Sequence, residues 1–347
     1  MSHAARIPVA VLGATGTVGQ LLLTLLADHP WFEPAVLAAS PRSAGRPYGE
    51  AVRWSRPEPL PEGLADLTVQ PCEAGLDAPL AFCALGGDVA APVERACVSA
   101  GQHVVSNASS HRMHPAVPLV VPEVNPQHLE LLARQDLGPG RLLANPNCST
   151  IGLSLALAPL HAAFGVERLN VVTLQALSGA GLPGVPSLAA MDNVLPFVAG
   201  EETKLEQETC RLLGRLGAGG VEPAGLIVAA SANRVPVTDG HTLCASVGFR
   251  ERVQVEDVLS ALAAFRGPDE VACLPSAPPR PVVVLDELDG PQPRIHRERH
   301  AGMAVHVGRV RPCPLLDVRF VALVHNTRRG AAGGNLLLAE QALARGL

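Results

Sequence analysis

Short apolar runs and helical segments alternate through the first half of the chain. Strand-like runs occupy residues 7–12, 35–39, 80–85, 103–107 and 119–121, with helical stretches such as 18–27 and 89–100 between them. Strands that alternate with helices in this way predict a parallel sheet with helices laid on its faces. From about Leu169 the rhythm changes. Longer strand-like segments at 169–177, 242–249 and 317–324 are joined by longer connections with fewer helices, which predicts a second domain with a mixed or antiparallel sheet. The stretch 267–300 is rich in proline and charge around an apolar run at 282–285, and is expected to be mostly an exposed excursion. Residues 333–345 carry the pattern of an amphipathic helix that closes the chain.

Composition narrows the class. A length of 347 residues exceeds what one hydrophobic core usually serves, so two domains are expected. Apolar residues at 48% and charged residues at 17% describe a soluble globular chain. The net charge of −5 is spread without a basic block, which argues against nucleic acid or an anionic membrane as main partner. Apolar runs such as 21–27 fall far short of a membrane span, and residues 1–8 lack the charged, apolar and small regions of an export signal. The eight cysteines are scattered with no C-x-x-C pair. Neither a disulfide framework nor a metal site is expected, and a reducing cytoplasm is the simplest compartment. Of 27 basic residues only Lys204 is a lysine, a bias that reflects G+C-rich coding and makes that residue worth locating.

The first strand runs into Gly13-Ala14-Thr15-Gly16-Thr17-Val18-Gly19, a G-x-x-G-x-x-G loop that opens a helix. Glycines let backbone approach a pyrophosphate, and the helix N-terminus offers amide donors and the positive end of its dipole. The end of the second strand reads Ala38-Ala39-Ser40-Pro41-Arg42-Ser43, with no carboxylate to bind a ribose hydroxyl and repel a 2′-phosphate. Ser40, Arg42 and Ser43 therefore favour NADP over NAD.

Asn145-Pro146-Asn147-Cys148-Ser149-Thr150 precedes a nearly all-apolar helical run at 151–160. Cys148 is thus expected at a buried helix N-terminus, where the dipole lowers a thiol pKa and nearby amides can hold an oxyanion. The other seven cysteines read as small core hydrophobes. A cysteine nucleophile beside a nicotinamide points to acyl chemistry, a thioester reduced by hydride or formed by aldehyde oxidation. Such chemistry needs a proton shuttle. His241 follows a turn and begins a strand, and Arg234, seven residues earlier, could hold a carboxylate in two-pronged fashion. Spacing alone leaves that pair open to a purely structural reading.

Together these stretches resemble the aspartate-semialdehyde dehydrogenases, in the branch typical of archaea and fungi. The resemblance is carried by LGATGTVGQ at 12–20, AASPRSAGRPYG at 38–49, SNASSHRMHPAVPLVVPEVNP at 106–126 and NPNCST at 145–150. It continues through QALSGAGLPGVPS at 175–187, GEETKLEQET at 200–209, RVPVTDGHT at 234–242, GMAVHVGRVR at 302–311 and HNTRRGAAGG at 325–334. It spans essentially the full length in order, and extends more weakly to N-acetyl-γ-glutamyl-phosphate reductase and glyceraldehyde-3-phosphate dehydrogenase.

The resemblance implies an α/β Rossmann-type NADP-binding domain over 1–147, completed by 326–347, and an α+β catalytic and dimerisation domain over 148–325. It makes Cys148 the nucleophile, His241 the general acid/base and Gln175 the residue that orients the acyl intermediate. Arg234 corresponds to the arginine for the substrate α-carboxylate and Glu201 to the acid facing the α-amino group. Arg112 and Lys204 correspond to the phosphate-binding pair, with Asn147 beside them. Asn326 corresponds to a cofactor contact, along with Gly13, Thr15, Gly16, Thr17, Val18, Ser40, Arg42 and Ser43. The implied reaction is NADPH-dependent reduction of 4-phospho-L-aspartate to L-aspartate 4-semialdehyde with release of inorganic phosphate, by a homodimer or homotetramer. One departure is Phe82-Cys83-Ala84, where relatives more often carry serine and Cys83 is expected to fill its space. Two alternatives stand beside this reading: a malonyl- or succinyl-CoA reductase of the same branch, against which Glu201, Lys204 and Arg112 discriminate, and a non-catalytic NADP-binding regulatory protein on the same fold.

Overall fold

Six short strands, five of them largely apolar, pair in parallel to build the first of two compact units. A computed structural model describes residues 6–347; residues 1–5, the start of the segment inspected for an export signal, lie outside the described residues. The first unit runs to Leu119 and adds Leu129–Asn145 and Asn335–Leu347, and the second holds Val120–His128 and Pro146–Gly334. In the first unit the strands are β1 (Ile7–Leu12), β2 (Phe32–Ala39), β3 (Gln70–Pro71), β4 (Leu80–Cys83), β5 (His103–Ser106) and β6 (Leu142–Ala144). Their order is β3-β2-β1-β4-β5-β6, with Leu12 opposite both Ala38 and Cys83. The order reverses beside β1, which creates the switch point at whose carboxyl edge open α/β sheets bind ligands. Val9 to Leu12 are completely buried, as expected for a strand covered on both faces.

Two expectations for this unit are corrected. The run 119–121 is not a strand: Leu119 makes only an isolated parallel bridge to Ala144, and the edge strand is β6. Pro118 and Pro122 flank that run and lack the N–H groups a ladder needs. The closing helix, Gly333–Ala344, is not amphipathic. Leu336, Leu337, Leu338 and Ala339 point to successive faces and all are buried, the mark of a core helix. Asn335 Nδ2 donates to the Val105 carbonyl (3.1 Å), and His29 Nε2 meets Glu340 Oε1 at 2.9 Å, so polar anchors fix its rotation. Cys83 lies fully buried at the end of β4, where burial pushes its thiol pKa well up.

The second unit is built on β7 (Val166–Gln175), β10 (Ile227–Arg234), β11 (His241–Phe249), β12 (Val282–Val284), β13 (Val305–Pro312) and β14 (Val318–Val324), with a separate hairpin of β8 (Arg215–Gly217) and β9 (Gly220–Glu222). The order β10-β7-β11-β14-β13-β12 pairs β10 with β7 and β12 with β13 in parallel, and the remaining pairs are antiparallel. The apolar run at 282–285 is therefore an edge strand, not part of an exposed excursion, and Val282 is buried against the sheet. The helix Cys148–Phe164 lies on this sheet, buried along 149–157. It comes so close that a Cβ on Gly152 would sit 2.7 Å from the side chain of Val324. Among the described residues no helix is long and apolar enough to cross a membrane.

Candidate active site

Asparagine is among the best helix N-caps, and Asn147 uses its side chain in that way. Its Oδ1 accepts from the backbone N–H of Ser149 (2.9 Å) and Thr150 (3.3 Å), and its carbonyl accepts from Ile151 N (2.9 Å). Cys148 follows as the first residue of the helix, half-buried, where the dipole favours a thiolate. On its other side stands Gly330, within the π-helical turn Arg328–Ala332. A Cβ there would lie 2.5 Å from the Cβ of Cys148.

Strand register brings three further side chains to one end of the mixed sheet. Gln175 ends β7 opposite Arg234, which ends β10, while Leu174 faces Thr242, the neighbour of His241 at the start of β11. Glu201, at the start of the helix Glu201–Leu212, joins the group. Its Oε2 accepts from Asn147 Nδ2 (2.8 Å) and Gln175 Nε2 (3.2 Å), and its Oε1 from Lys204 Nζ (2.9 Å). Burial pushes the Glu201 carboxyl up, but Lys204, by charge and hydrogen bond, with Asn147 and Gln175 assisting, brings it below the ordinary carboxylate value. The site therefore contains a buried, ionised carboxylate whose oxygens are already shared among three donors.

His241 is completely buried and its ring nitrogens differ. Nδ1 accepts from the backbone N–H of Ala176 (3.0 Å), so the neutral ring carries its proton on Nε2. Burial, and then the charge of Arg234, pushes the imidazole pKa down to about 3. Arg234 Nη1 donates to the Ala176 carbonyl (2.7 Å), so the backbone of one residue orients both cation and ring. Burial lowers the Arg234 pKa, against the opposing pull of Cys148 and Glu201. Gly179 leaves the space in front of them open: a Cβ there would be 2.7 Å from Arg234 Nη1 and 3.2 Å from His241 Nε2. Asn326 ties this region together, its Oδ1 accepting from Gly240 N (2.8 Å) and its Nδ2 donating to Ser178 Oγ (2.8 Å).

The other expected residues belong to the first unit. Gly13 has φ +86°, and a Cβ on it would lie 2.9 Å from the Ala84 carbonyl oxygen. Gly19 packs so tightly that a Cβ would be 2.2 Å from the Gly13 carbonyl oxygen. Thr15, Gly16, Thr17 and Val18 form the turn and first residues of the helix Thr17–Leu26, with Gly16 as N-cap. Two side chains that lie in quoted motifs but were given no role there hold the loop: Tyr48 Oη donates to the Ala14 carbonyl (2.8 Å) and Gln20 Nε2 to that of Thr15 (2.9 Å). Ser40 and Arg42 are exposed beyond β2 and Ser43 half-buried, in a turn closed by Ser43 N to Ser40 O (2.9 Å). Arg112 is buried, its Nη2 donating to the Asn107 carbonyl (2.7 Å).

Geometry thus gathers Asn147, Cys148, Gln175, Glu201, Lys204, Arg234, His241 and Asn326 in the second unit, and the glycine loop, the Ser40–Ser43 turn and Arg112 in the first. Gly179, Gly330 and Glu208, whose contact with Asn147 is described below, were not singled out by sequence. Each sits inside or beside a quoted motif, but its role appears only when a distant segment is placed against it.

Models of semialdehyde dehydrogenases match the chain twice, the NAD binding domain over residues 8–132 and the dimerisation domain over 157–329. The aspartate-semialdehyde dehydrogenase of Methanothermobacter thermautotrophicus is 48% identical over 341 residues, covering 96% of this chain and 97% of its own. That of Aspergillus fumigatus is 46% identical over 351 residues, covering 97% of each chain. The crystal structure of aspartate semialdehyde dehydrogenase with NADP from Candida albicans matches with a TM-score of 0.90 at 42% identity, across 98% of this chain and 99% of that one.

Proposed function

Since the chain belongs to the aspartate-semialdehyde dehydrogenase family, we propose that it carries out the NADPH-dependent reduction of 4-phospho-L-aspartate to L-aspartate 4-semialdehyde, releasing phosphate, on the route to lysine, methionine and threonine. One observation carries the catalytic part: a half-buried thiol at a capped helix N-terminus shares its surroundings with His241, Arg234, Gln175 and an ionised Glu201. Cys148 attacks the acyl phosphate carbon, the C–O bond to phosphate breaks, and a thioester remains. Lys204 and Arg112 neutralise the departing phosphate, with Asn147 beside the nucleophile. Arg234 receives the substrate α-carboxylate, Glu201 its α-amino group, and Gln175 orients the acyl group. His241 is the general acid/base, and in its resting tautomer Nε2–H is the donor offered to the reacting oxygen.

The glycine loop fits a dinucleotide, since side chains on Gly13 or Gly19 would fill the backbone turn that phosphates approach. Gly13, Thr15, Gly16, Thr17 and Val18 would hold the pyrophosphate, Ser40, Arg42 and Ser43 the 2′-phosphate, and Asn326 would serve the nicotinamide end. When bound, the reduced nicotinamide supplies the hydride that takes the thioester to the aldehyde level. A homodimer or homotetramer is the assembly, supported by the match to a dimerisation domain and by exposed Leu188, Met191 and Phe197 in that region.

NADPH formation from aspartate semialdehyde and phosphate, measured beside NADPH oxidation with malonyl-CoA, separates this reading from a CoA-thioester reductase. The first activity is expected alone, and the reverse result overturns the substrate assignment. Coenzyme choice is tested in the same assay: NADPH should outperform NADH, and equal use would overturn the role given to Ser40, Arg42 and Ser43.

Gly330→Ala tests the contact behind the thiol. Its Cβ would meet that of Cys148 at 2.5 Å, so one segment must move. Turnover is expected to fall at least about tenfold, since small misplacements of a nucleophile are costly. Overpacking should also remove about 1–3 kcal/mol of stability in a denaturant titration. Wild-type turnover would show that the 328–332 turn yields freely.

A further inference from the structure

Glu208 is a second buried carboxylate on the helix Glu201–Leu212, only 2% exposed, and the mechanism above does not use it. It lies seven residues after Glu201, two turns along, so both project from one side of the helix. Both reach the same residue. Glu201 Oε2 accepts from the Asn147 side-chain amide (2.8 Å), and Glu208 Oε2 accepts from the Asn147 backbone N–H (2.7 Å). The remaining groups of Asn147 are also occupied, Oδ1 by Ser149 and Thr150 and the carbonyl by Ile151. No rotation of Asn147 keeps all these bonds, so the peptide that leads into Cys148 has one orientation. Gly330 blocks retreat on the other side of the thiol. A carboxylate is an expensive group to bury merely as packing between two helices, whereas one that accepts a hydrogen bond from a backbone N–H sets a position.

We infer that Glu208 is a positioning residue, holding the backbone of Asn147 so that the Cys148 thiol stands at the reacting end of its helix. The inference rests on the reading of Cys148 as nucleophile. Glu208→Ala should lower kcat by about 10–100-fold while KM for aspartate semialdehyde and for NADP changes less than about threefold, the signature of a misplaced reacting group. Alkylation of Cys148 by iodoacetamide at neutral pH, followed by mass spectrometry on the peptide that contains it, should slow by a comparable factor. Glu208→Gln retains a carbonyl oxygen that can accept from Asn147 N–H, and should recover kcat to within about threefold of wild type. If Glu208→Ala does not fold, Glu208→Asp replaces it: one methylene short, it should lose the contact and about tenfold in kcat.

A role confined to stability predicts lower melting temperatures with kcat and the alkylation rate of folded protein unchanged, and that result overturns the inference. The two readings fail separately. Activity in Cys148→Ala would end the nucleophile assignment, whereas an inactive Cys148→Ala beside a Glu208→Ala of wild-type kcat and alkylation rate would end only the positioning role.

Discussion

Cys148→Ala is expected to lose about 10⁴-fold or more in turnover, the scale on which removing a covalent nucleophile acts. The variant should stay folded. Alanine keeps the Cβ that Gly330 faces, and the Asn147 cap and its partners do not involve sulfur. A melting temperature close to wild type, together with absent phosphate-dependent NADPH formation, is the expected pair of results. A variant that kept even about a tenth of the activity would exclude a thioester intermediate, because no other group here could form one at that rate.

His241→Ala should slow turnover by about 10²–10⁴-fold, the usual contribution of a placed general acid or base. It should also alter the acid stability of the protein. In the folded chain burial holds the imidazole down to about 3, whereas in the unfolded chain it titrates near 6.5. Between those values the unfolded state takes up a proton that the folded state refuses. Stability therefore falls as pH drops from about 6.5 toward 3, by up to about 1.4 kcal/mol per pH unit from this group, and is unaffected by it at higher pH. His306, pushed down to about 4 chiefly by burial, contributes in the same direction and remains in the variant. Denaturant titrations at pH 7 and pH 4.5 should show a shallower loss for His241→Ala than for wild type. An equal loss would mean that His241 protonates freely in the folded protein.

Local signals in the sequence suffice for features that neighbouring residues form by themselves. The glycine loop and the helix N-terminus at Cys148 each depend on neighbours in the chain, so local sequence was enough to expect them, whereas Glu201 and Lys204 were expected only through the family resemblance. The sole lysine proved to be the cation on the central carboxylate. Glu208 to Asn147, Gly330 to Cys148 and Gly179 to Arg234 depend on strand order and helix packing, which no window of sequence contains. The edge of the first sheet failed for a related reason: three residues, Leu142–Ala144, are too few to show a period, while the more apolar run beside them is hemmed by prolines. The closing helix differs from its expected amphipathic form because leucines and alanines on all its faces imitate a stripe only when its few polar residues are assumed to face water.

That helix carries a consequence for how the protein is made. From Asn335 onward that helix is synthesised after the whole of 146–334, yet Asn335 bonds to β5 and Glu340 to His29 in the unit that began with β1. A nascent chain emerges N-terminus first, and domains that are continuous in sequence can fold in that order. Here the first unit must wait, with one apolar flank of its sheet uncovered, until the second has been fully translated. The earlier-made half of this chain is the later-finished one.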